Sequence, residues 1–399
     1  MIPSEIKTLD VASAEPASIK PIVALSFGAC GSSAALRACD PLLPYLAAKY
    51  GVGLGAAAQT VTAFAIAYGV LQLAYGPVGD RYGKYRVITL ATMGCALTSL
   101  ACALAPTLSA LVIARMLAGA TAGALIPLSI AWIGDTVPYE RRQPVLARFL
   151  IGQMFGIALG QVLGGIGADY LGAGPVFVAL AVWFAATALL MWRYAPSGSE
   201  SPRQSSGSIA TRYASVVKAR WSRVVLLTVF VEGLLLVGAL AFVPTHLHRA
   251  YGLPLTAAGL VAMLFGAGGL VYAALSPVLL RRLGEPGLAA GGGVLIALAF
   301  VAIALGSNPL IAVAACLAAG LGFYMLHNTL QVNATQMAPA QRGSSLALFA
   351  CTLFLGHSVG VTLAGVLAER FGTAYVLGGA GAMLLVVGLA FGAARRRHQ

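Results

Sequence analysis

Gly76–Arg86 reads GPVGDRYGKYR and separates two uncharged apolar runs, Ala56–Tyr75 and Val87–Ala105. Each run is long enough to cross a bilayer as a helix, for which about 20 apolar residues suffice. The charged stretch between them is therefore expected to be a turn at a membrane face. Its three basic residues, Arg81, Lys84 and Arg86, point to the cytoplasmic face, because short cytoplasmic loops are enriched in Lys and Arg.

Composition agrees with a chain whose main solvent is lipid. Of 399 residues, 59% are hydrophobic and 9% are charged, and the mean hydropathy is +0.87. Water-soluble domains carry about 25% charge, so this interior could not be covered by its own charged side chains. The net charge of +13 is distributed over short connections between apolar runs. It does not cluster with stacking aromatics as a nucleic-acid surface would, so no nucleic-acid partner is expected. The six cysteines (Cys30, Cys39, Cys95, Cys102, Cys316, Cys351) all fall inside apolar runs without zinc-ligand spacing. They read as small packing residues. The first 20 residues contain Glu5, Asp10 and Glu15 and lack a cleavage signature, so they read as a short cytoplasmic tail.

Apolar segments recur at about 21–46, 55–75, 87–105, 108–132, 144–168, 174–193, 223–245, 256–279, 287–305, 309–331, 344–368 and 374–394. Twelve spans put both termini on one side. Of the 25 Lys and Arg, 20 then fall on the side of the termini and 3 on the other, which orients that side to the cytoplasm. The expected organisation is an N-tail (1–20), a six-helix bundle (21–193), a cytoplasmic linker (194–222), a second six-helix bundle (223–394) and a C-tail (395–399). The linker, with its APSGSESPRQSSGS run, is Ser/Pro/Gly-rich and is expected to have no core of its own.

The two bundles share a faint repeat at a spacing of 200 residues. Pro77/Pro277, Val78/Val278 and Arg81/Arg281 match around one connection; Gly156/Gly356, Gly160/Gly360, Gly165/Gly365, Asp169/Glu369 and Gly172/Gly372 match around helices five and eleven. Elements six helices apart run the same way, so the repeat is parallel, about an axis along the membrane normal.

Twelve spans, the 6+6 repeat, the central linker and the GPVGDRYGK stretch together resemble the major facilitator superfamily over essentially the whole chain. The stretch is similar to that superfamily's signature G-x-x-x-D-R-x-G-R/K-R/K, matching at Gly76, Asp80, Arg81, Gly83 and Lys84. Two segments resemble the branch of twelve-span drug:proton antiporters. Arg115-Met-Leu-Ala-Gly119 looks like R-x-x-Q-G, with Ala118 in place of glutamine. Gly156-x-x-x-Gly160-Gln-Val-Leu-Gly164-Gly165 looks like G-x-x-x-G-P-x-x-G-G, with Gln161 in place of proline. Asp40-Pro-Leu-Leu-Pro44 resembles the D-x-x-x-P of some multidrug members, in which the acid is implicated in substrate and proton binding. The resemblance also implies a gating role for the charged stretch, with Asp80 set against the N-terminus of helix eleven to hold the cytoplasmic side shut.

The residues themselves point to candidate sites. Asp40 and Glu232 are the carboxylates placed well inside spans, and ionisable groups there mark functional sites by default. A carboxyl that can give up and regain its proton is what coupling to a proton gradient requires. Asp40 is followed by Pro41 and Pro44, which are expected to bend helix one and free backbone carbonyls for a cavity. Its alternative reading is a solvated acid paired with Arg37. Arg115 keeps its charge and therefore needs an acid or a wet cavity; it is expected to hold Asp40, the alternative being donation to backbone carbonyls. Gly152, Gly156, Gly160 and Gly164 lie on one face of helix five and let another helix approach closely. They are expected to form the seam along which the two halves rock. His357 reads as a hydrogen-bonded packing residue, and His327 as a residue exposed near an inner helix end.

The expectation is an all-α integral membrane protein of the cell membrane, acting as a monomer without cofactor or metal. It would be a secondary transporter that exchanges a small lipophilic or cationic substrate for protons by alternating access. A metabolite exporter or symporter of the same fold is the alternative, which Gln161 and Ala118 keep open. A non-transporting sensor or scaffold explains the in-membrane charges less well, and an enzyme lacks a nucleophile–base arrangement or a nucleotide loop.

Overall fold

The computed structural model describes residues 19–196, 209–338 and 341–398. Most of the N-tail, the Ser/Pro/Gly-rich part of the linker (197–208) and residue 399 lie outside the described residues. All regular secondary structure among the described residues is helical. Eleven helical stretches are long and apolar enough to span a membrane: α1 (Ile19–Tyr50), α2 (Leu54–Tyr82), α3 (Lys84–Ala103), α4 (Leu108–Thr136), α5 (Arg141–Leu171), α6 (Ala173–Arg193), α7 (Arg220–Tyr251), a double-length stretch (Leu255–Leu305), α10 (Pro309–Gln336), α11 (Arg342–Arg370) and α12 (Thr373–His398). The double-length stretch is two spans, α8 (255–283) and α9 (285–305), because Gly284 leaves the helical region at φ 62°, ψ 175°. Twelve helices result, in two sets of six. Many large apolar side chains face outward, such as Leu104, Leu305 and Val386, as lipid-facing helices require.

The opening stretch is not a turn. Helix α2 continues through Gly76–Tyr82, and only Gly83 (φ 89°, ψ 123°) separates it from α3. A non-glycine residue is strained at that φ. The second half repeats the device at Gly284 between α8 and α9. Both joints lie on the side of the termini.

Helices α1 and α7 also depart from regularity, each beside a buried acid. Helix α1 is interrupted at Ala38, between the segments Ile19–Arg37 and Cys39–Tyr50. Pro41 has no N–H for the Arg37 carbonyl and its ring crowds that carbonyl, so the break falls one turn upstream. Pro44, by contrast, lies inside an unbroken segment. Helix α7 widens into a π turn at Gly233–Val237, directly after Glu232.

The glycine face of α5 is not the seam between the halves. A Cβ on Gly156, Gly160 or Gly164 would come within 2.1, 2.4 and 2.2 Å of the carbonyl oxygens of Cys30, Ala34 and Ala38. All three belong to α1, in the same half. Gly356 and Gly360 of α11 meet Phe230 and Leu234 of α7 in the same way, with approaches of 2.0 Å for each. The four-residue spacing thus correctly marks close helix packing, but it joins helices one and five, and seven and eleven, into rigid halves. Sequence spacing identifies a face without identifying what lies opposite it.

The seams between halves are α2 against α11 and α5 against α8. Gly55 and Ala58 touch Gly365, Thr62 Oγ1 lies 3.1 Å from Thr362 Oγ1, and the Tyr68 and Phe354 rings are 4.5 Å apart. Gly165 faces Leu255 and Thr256, and Gly259 faces the backbone of Gln161. These contacts close the end of the molecule opposite the termini. Towards the termini the α5–α8 packing loosens: a Cβ on Gly266 would be in ordinary van der Waals contact with Met154 O, at 4.0 Å, and residues 273–275 beyond it are exposed.

The end of the linker folds into a short helix, Ile209–Lys218, that lies across the side of the termini. Tyr213 Oη donates to Leu73 O (2.9 Å) in the first half, and Ser215 Oγ donates to Gln341 Oε1 (3.1 Å) in the second. Val216 is fully buried.

Candidate functional site

Between the halves lie two clusters of buried ionisable groups, one from each. In the first, the break in α1 places Arg37 and Asp40 on one side of the helix. Arg37 Nη1 donates to Asp40 Oδ2 at 3.3 Å, and Gln161 Nε2 of α5 donates to the same oxygen at 3.2 Å. Asp40 is fully buried, Arg37 is 7% exposed and Gln161 2%. Asp40 Oδ1 and Gln161 Oε1 have no hydrogen-bond partner among the described residues. Gln161, which stands where the antiporter signature has proline, is therefore a ligand of Asp40. Its chain distance from Asp40 hid that from the sequence.

Arg115 is not the partner of Asp40. Its Nε donates to Thr60 O (3.2 Å) and its Nη1 to Ala35 O (2.9 Å), and its guanidinium lies over the Phe64 ring at 4.1 Å. It is 1% exposed. A planar fork of donors can tie two backbones at once, so Arg115 pins α1 and α2 to α4 just beside the α1 break. The ion pair with Asp40 belongs to Arg37.

In the second half, Glu232 Oε2 of α7 lies 2.8 Å from His327 Nδ1 of α10. Glu232 is fully buried, and its Oε1 has no partner among the described residues. The His327 ring stacks on Phe323 (4.7 Å, 21°) and lies 5.4 Å from Phe349. The next residue of α10 is Asn328, whose Nδ2 donates to Tyr272 Oη of α8 at 3.1 Å. His327 is thus a partner of the buried acid and not an exposed inner-end residue. Nothing in the sequence linked two residues 95 positions apart.

His357 of α11 also departs from expectation. It is buried, yet neither ring nitrogen has a hydrogen-bond partner among the described residues. Among the described residues no group of three or more His, Cys, Asp and Glu could hold a metal.

The charged stretch lies away from this centre. Lys84 Nζ bridges Asp80 Oδ1 (2.8 Å) and Asp135 Oδ2 (2.9 Å) at the ends of α2, α3 and α4 on the side of the termini. The Arg81 guanidinium lies 5.2 Å from the Tyr82 ring. Asp80 is therefore paired within its own half here and not docked on the N-terminus of α11. A Cβ on Gly76 would meet open space, whereas one on Gly79 would come 2.8 Å from Leu128.

Two pseudo-symmetric bundles of six spanning helices with buried charge between them define a membrane transporter fold. Residues 25–361 match the family profile described as Major Facilitator Superfamily, and the chain belongs to that family. It is 24% identical over 332 residues to the uncharacterized MFS-type transporter YceJ of Bacillus subtilis (strain 168), covering 82% of this chain and 84% of YceJ. Similarity to named efflux proteins is partial. The fatty acid resistance protein FarB of Neisseria gonorrhoeae is 32% identical over 31% of this chain and 24% of its own. The multidrug export protein EmrB of Escherichia coli (strain K12) is 27% identical over 34% and 26%. Among solved structures, the nucleoside transporter NupG superposes with a TM-score of 0.74 at 14% identity, covering 94% of this chain and 98% of NupG. A bacterial homolog of the human lysosomal transporter Spinster, in an inward-facing and unoccupied conformation, gives 0.73 at 15% identity, covering 93% and 95%. At such identities the likeness is one of fold.

Proposed function

We propose that this transporter exports small lipophilic or cationic compounds in exchange for protons, with both termini in the cytoplasm. One observation supports the reading above the others: among the described residues each half buries one carboxylate, Asp40 or Glu232, with one oxygen held by a basic partner and the other without one. A buried carboxylate with a spare acceptor is costly unless a proton or a cationic substrate arrives to occupy it. Arg37 and Gln161 hold Asp40 between such visits, and His327 does the same for Glu232. Partial similarity to EmrB and FarB favours export, and the preponderance of Lys and Arg on the side of the termini favours a cytoplasmic placement. In that orientation the end closed by the α2–α11 and α5–α8 contacts is the outer one.

Gln161 supports a second reading, a metabolite exporter or symporter. It replaces the proline of the antiporter signature and binds Asp40 directly.

Purified protein in proteoliposomes with an internal pH dye tests the proposal. On addition of candidate lipophilic cations, the parent is expected to move protons in the direction opposite to substrate. Asp40→Asn and Glu232→Gln are each expected to lose at least about tenfold in that coupled flux, an effect of about 1.4 kcal/mol. Normal coupling in both variants would refute the carboxylate assignment, and proton movement along with the substrate would establish symport.

A further inference from the structure

We propose that Asp169 and Glu369 are a matched pair of gating residues that lock the two halves together at the end opposite the termini. The inference does not depend on what is carried or on proton coupling. Asp169 lies in the π turn Gly167–Leu171 that ends α5. It reaches across the seam to the first residues of α8: Oδ1 accepts from Leu255 N–H (3.0 Å), and Oδ2 accepts from Thr256 N–H (2.7 Å) and from Thr256 Oγ1 (2.7 Å). Glu369, near the end of α11, does the same to α2, where its Oε1 accepts from Gly55 N–H at 2.5 Å.

The need for these acids is written into the helices that receive them. The first N–H groups of a helix have no partner inside it and are usually satisfied by a side chain at the N-cap. At α2 the N-cap is Gly53 and at α8 it is Pro254, and neither makes a side-chain cap. Each helix therefore takes its cap from the opposite half. A carboxylate there forms charge-assisted hydrogen bonds and faces the positive end of the helix dipole.

The surrounding backbone is built for the contact on both seams. One turn before each acid stands a glycine, Gly165 or Gly365. A Cβ there would come 2.6 Å from Leu255 O or 2.8 Å from Gly55 Cα. Three residues after each acid a glycine at positive φ, Gly172 (82°) or Gly372 (89°), ends the helix. At Gly53 a Cβ would sit 2.2 Å from Glu369 Oε1, so a side chain there would push the carboxylate away from Gly55 N–H. Both acids and both flanking glycines are related by the 200-residue repeat.

Alternating access requires this end to open, and opening α5 from α8 and α2 from α11 breaks every one of these bonds. The carboxylates thus bias the molecule toward the state seen here. Asp169, with three bonds and partial burial, is the stronger latch; Glu369, exposed and with one bond, is the weaker.

The distance between spin labels at Leu104→Cys and Leu305→Cys tests the latch in full-length protein in lipid nanodiscs. Both sites are exposed at this end, one in each half, and all six native cysteines are buried. In the parent the short distance is expected to dominate. Asp169→Ala is expected to raise the ratio of long to short populations roughly five- to tenfold, and Glu369→Ala about twofold, in line with the bonds each loses. Thr256→Val removes one bond without altering either acid and is expected to give a shift between these two. It carries the test if Asp169→Ala does not fold. An unchanged distribution in every folded variant overturns the proposal, as would a shift toward the short distance.

Discussion

At the scale of single residues, Arg115 separates a structural role from a coupling role. Its two carbonyl bonds and its place over Phe64 require a planar fork, which lysine lacks. Arg115→Lys is expected to cost about 2–3 kcal/mol of stability and to lower the thermal unfolding temperature in detergent. Once folded, the variant should keep the stoichiometry of protons to substrate. A changed stoichiometry with unchanged melting would assign Arg115 to the coupling machinery after all. The sequence exposed Asp40, Glu232 and Arg115 because a charge in an apolar run is conspicuous whatever surrounds it. Their partners stayed hidden. Gln161 and His327 are ordinary polar residues 121 and 95 positions away, and only the helix packing brings them to the acids.

Among helices, glycines that look alike in the sequence divide by what lies opposite. Gly156→Leu would drive a side chain into the Cys30 carbonyl, which a Cβ alone approaches to 2.1 Å. It is expected to destabilise the first half by roughly 3 kcal/mol or more, seen as early melting or loss of monodisperse protein. Gly76→Ala meets open space inside a helix and is expected to leave stability unchanged or raise it by up to about 1 kcal/mol, since alanine is the better helix former. Equal tolerance at both positions would contradict this packing. The spans themselves were legible because lipid demands long apolar runs, and so was the 200-residue repeat. Their ends were not. Amphiphilic final turns such as Gly76–Tyr82 read as loop when hydropathy is the guide, although their backbone stays helical to a single glycine.

For the molecule as a whole, the two ends are held by different means. At the end opposite the termini the halves meet through Asp169 and Glu369. At the other end Asp80 is engaged with Lys84 inside its own half. The family resemblance implies a contact between Asp80 and the N-terminus of α11 in the opposite state, in which the side of the termini would be closed. Asp80→Asn is then expected to lower the population of that state by roughly threefold or more. With the same Leu104 and Leu305 labels, the long-distance population should fall, opposite in sign to Asp169→Ala. A rise, or no change with transport intact, would reduce the charged stretch to a marker of membrane orientation. The repeat position of Asp80 is Leu280, so the side of the termini has one such acid where the other end has two.

The linker helix adds a mechanical constraint. Ile209–Lys218 is fastened to Leu73 on one half and to Gln341 on the other, so it works as a stay across the mouth that opens toward the termini. Any widening of that mouth along the α2–α11 side stretches the stay or detaches one fastening. Such a movement would have to strain or break two hydrogen bonds and unpack the buried Val216, in a segment on the opposite side of the molecule from Asp169 and Glu369.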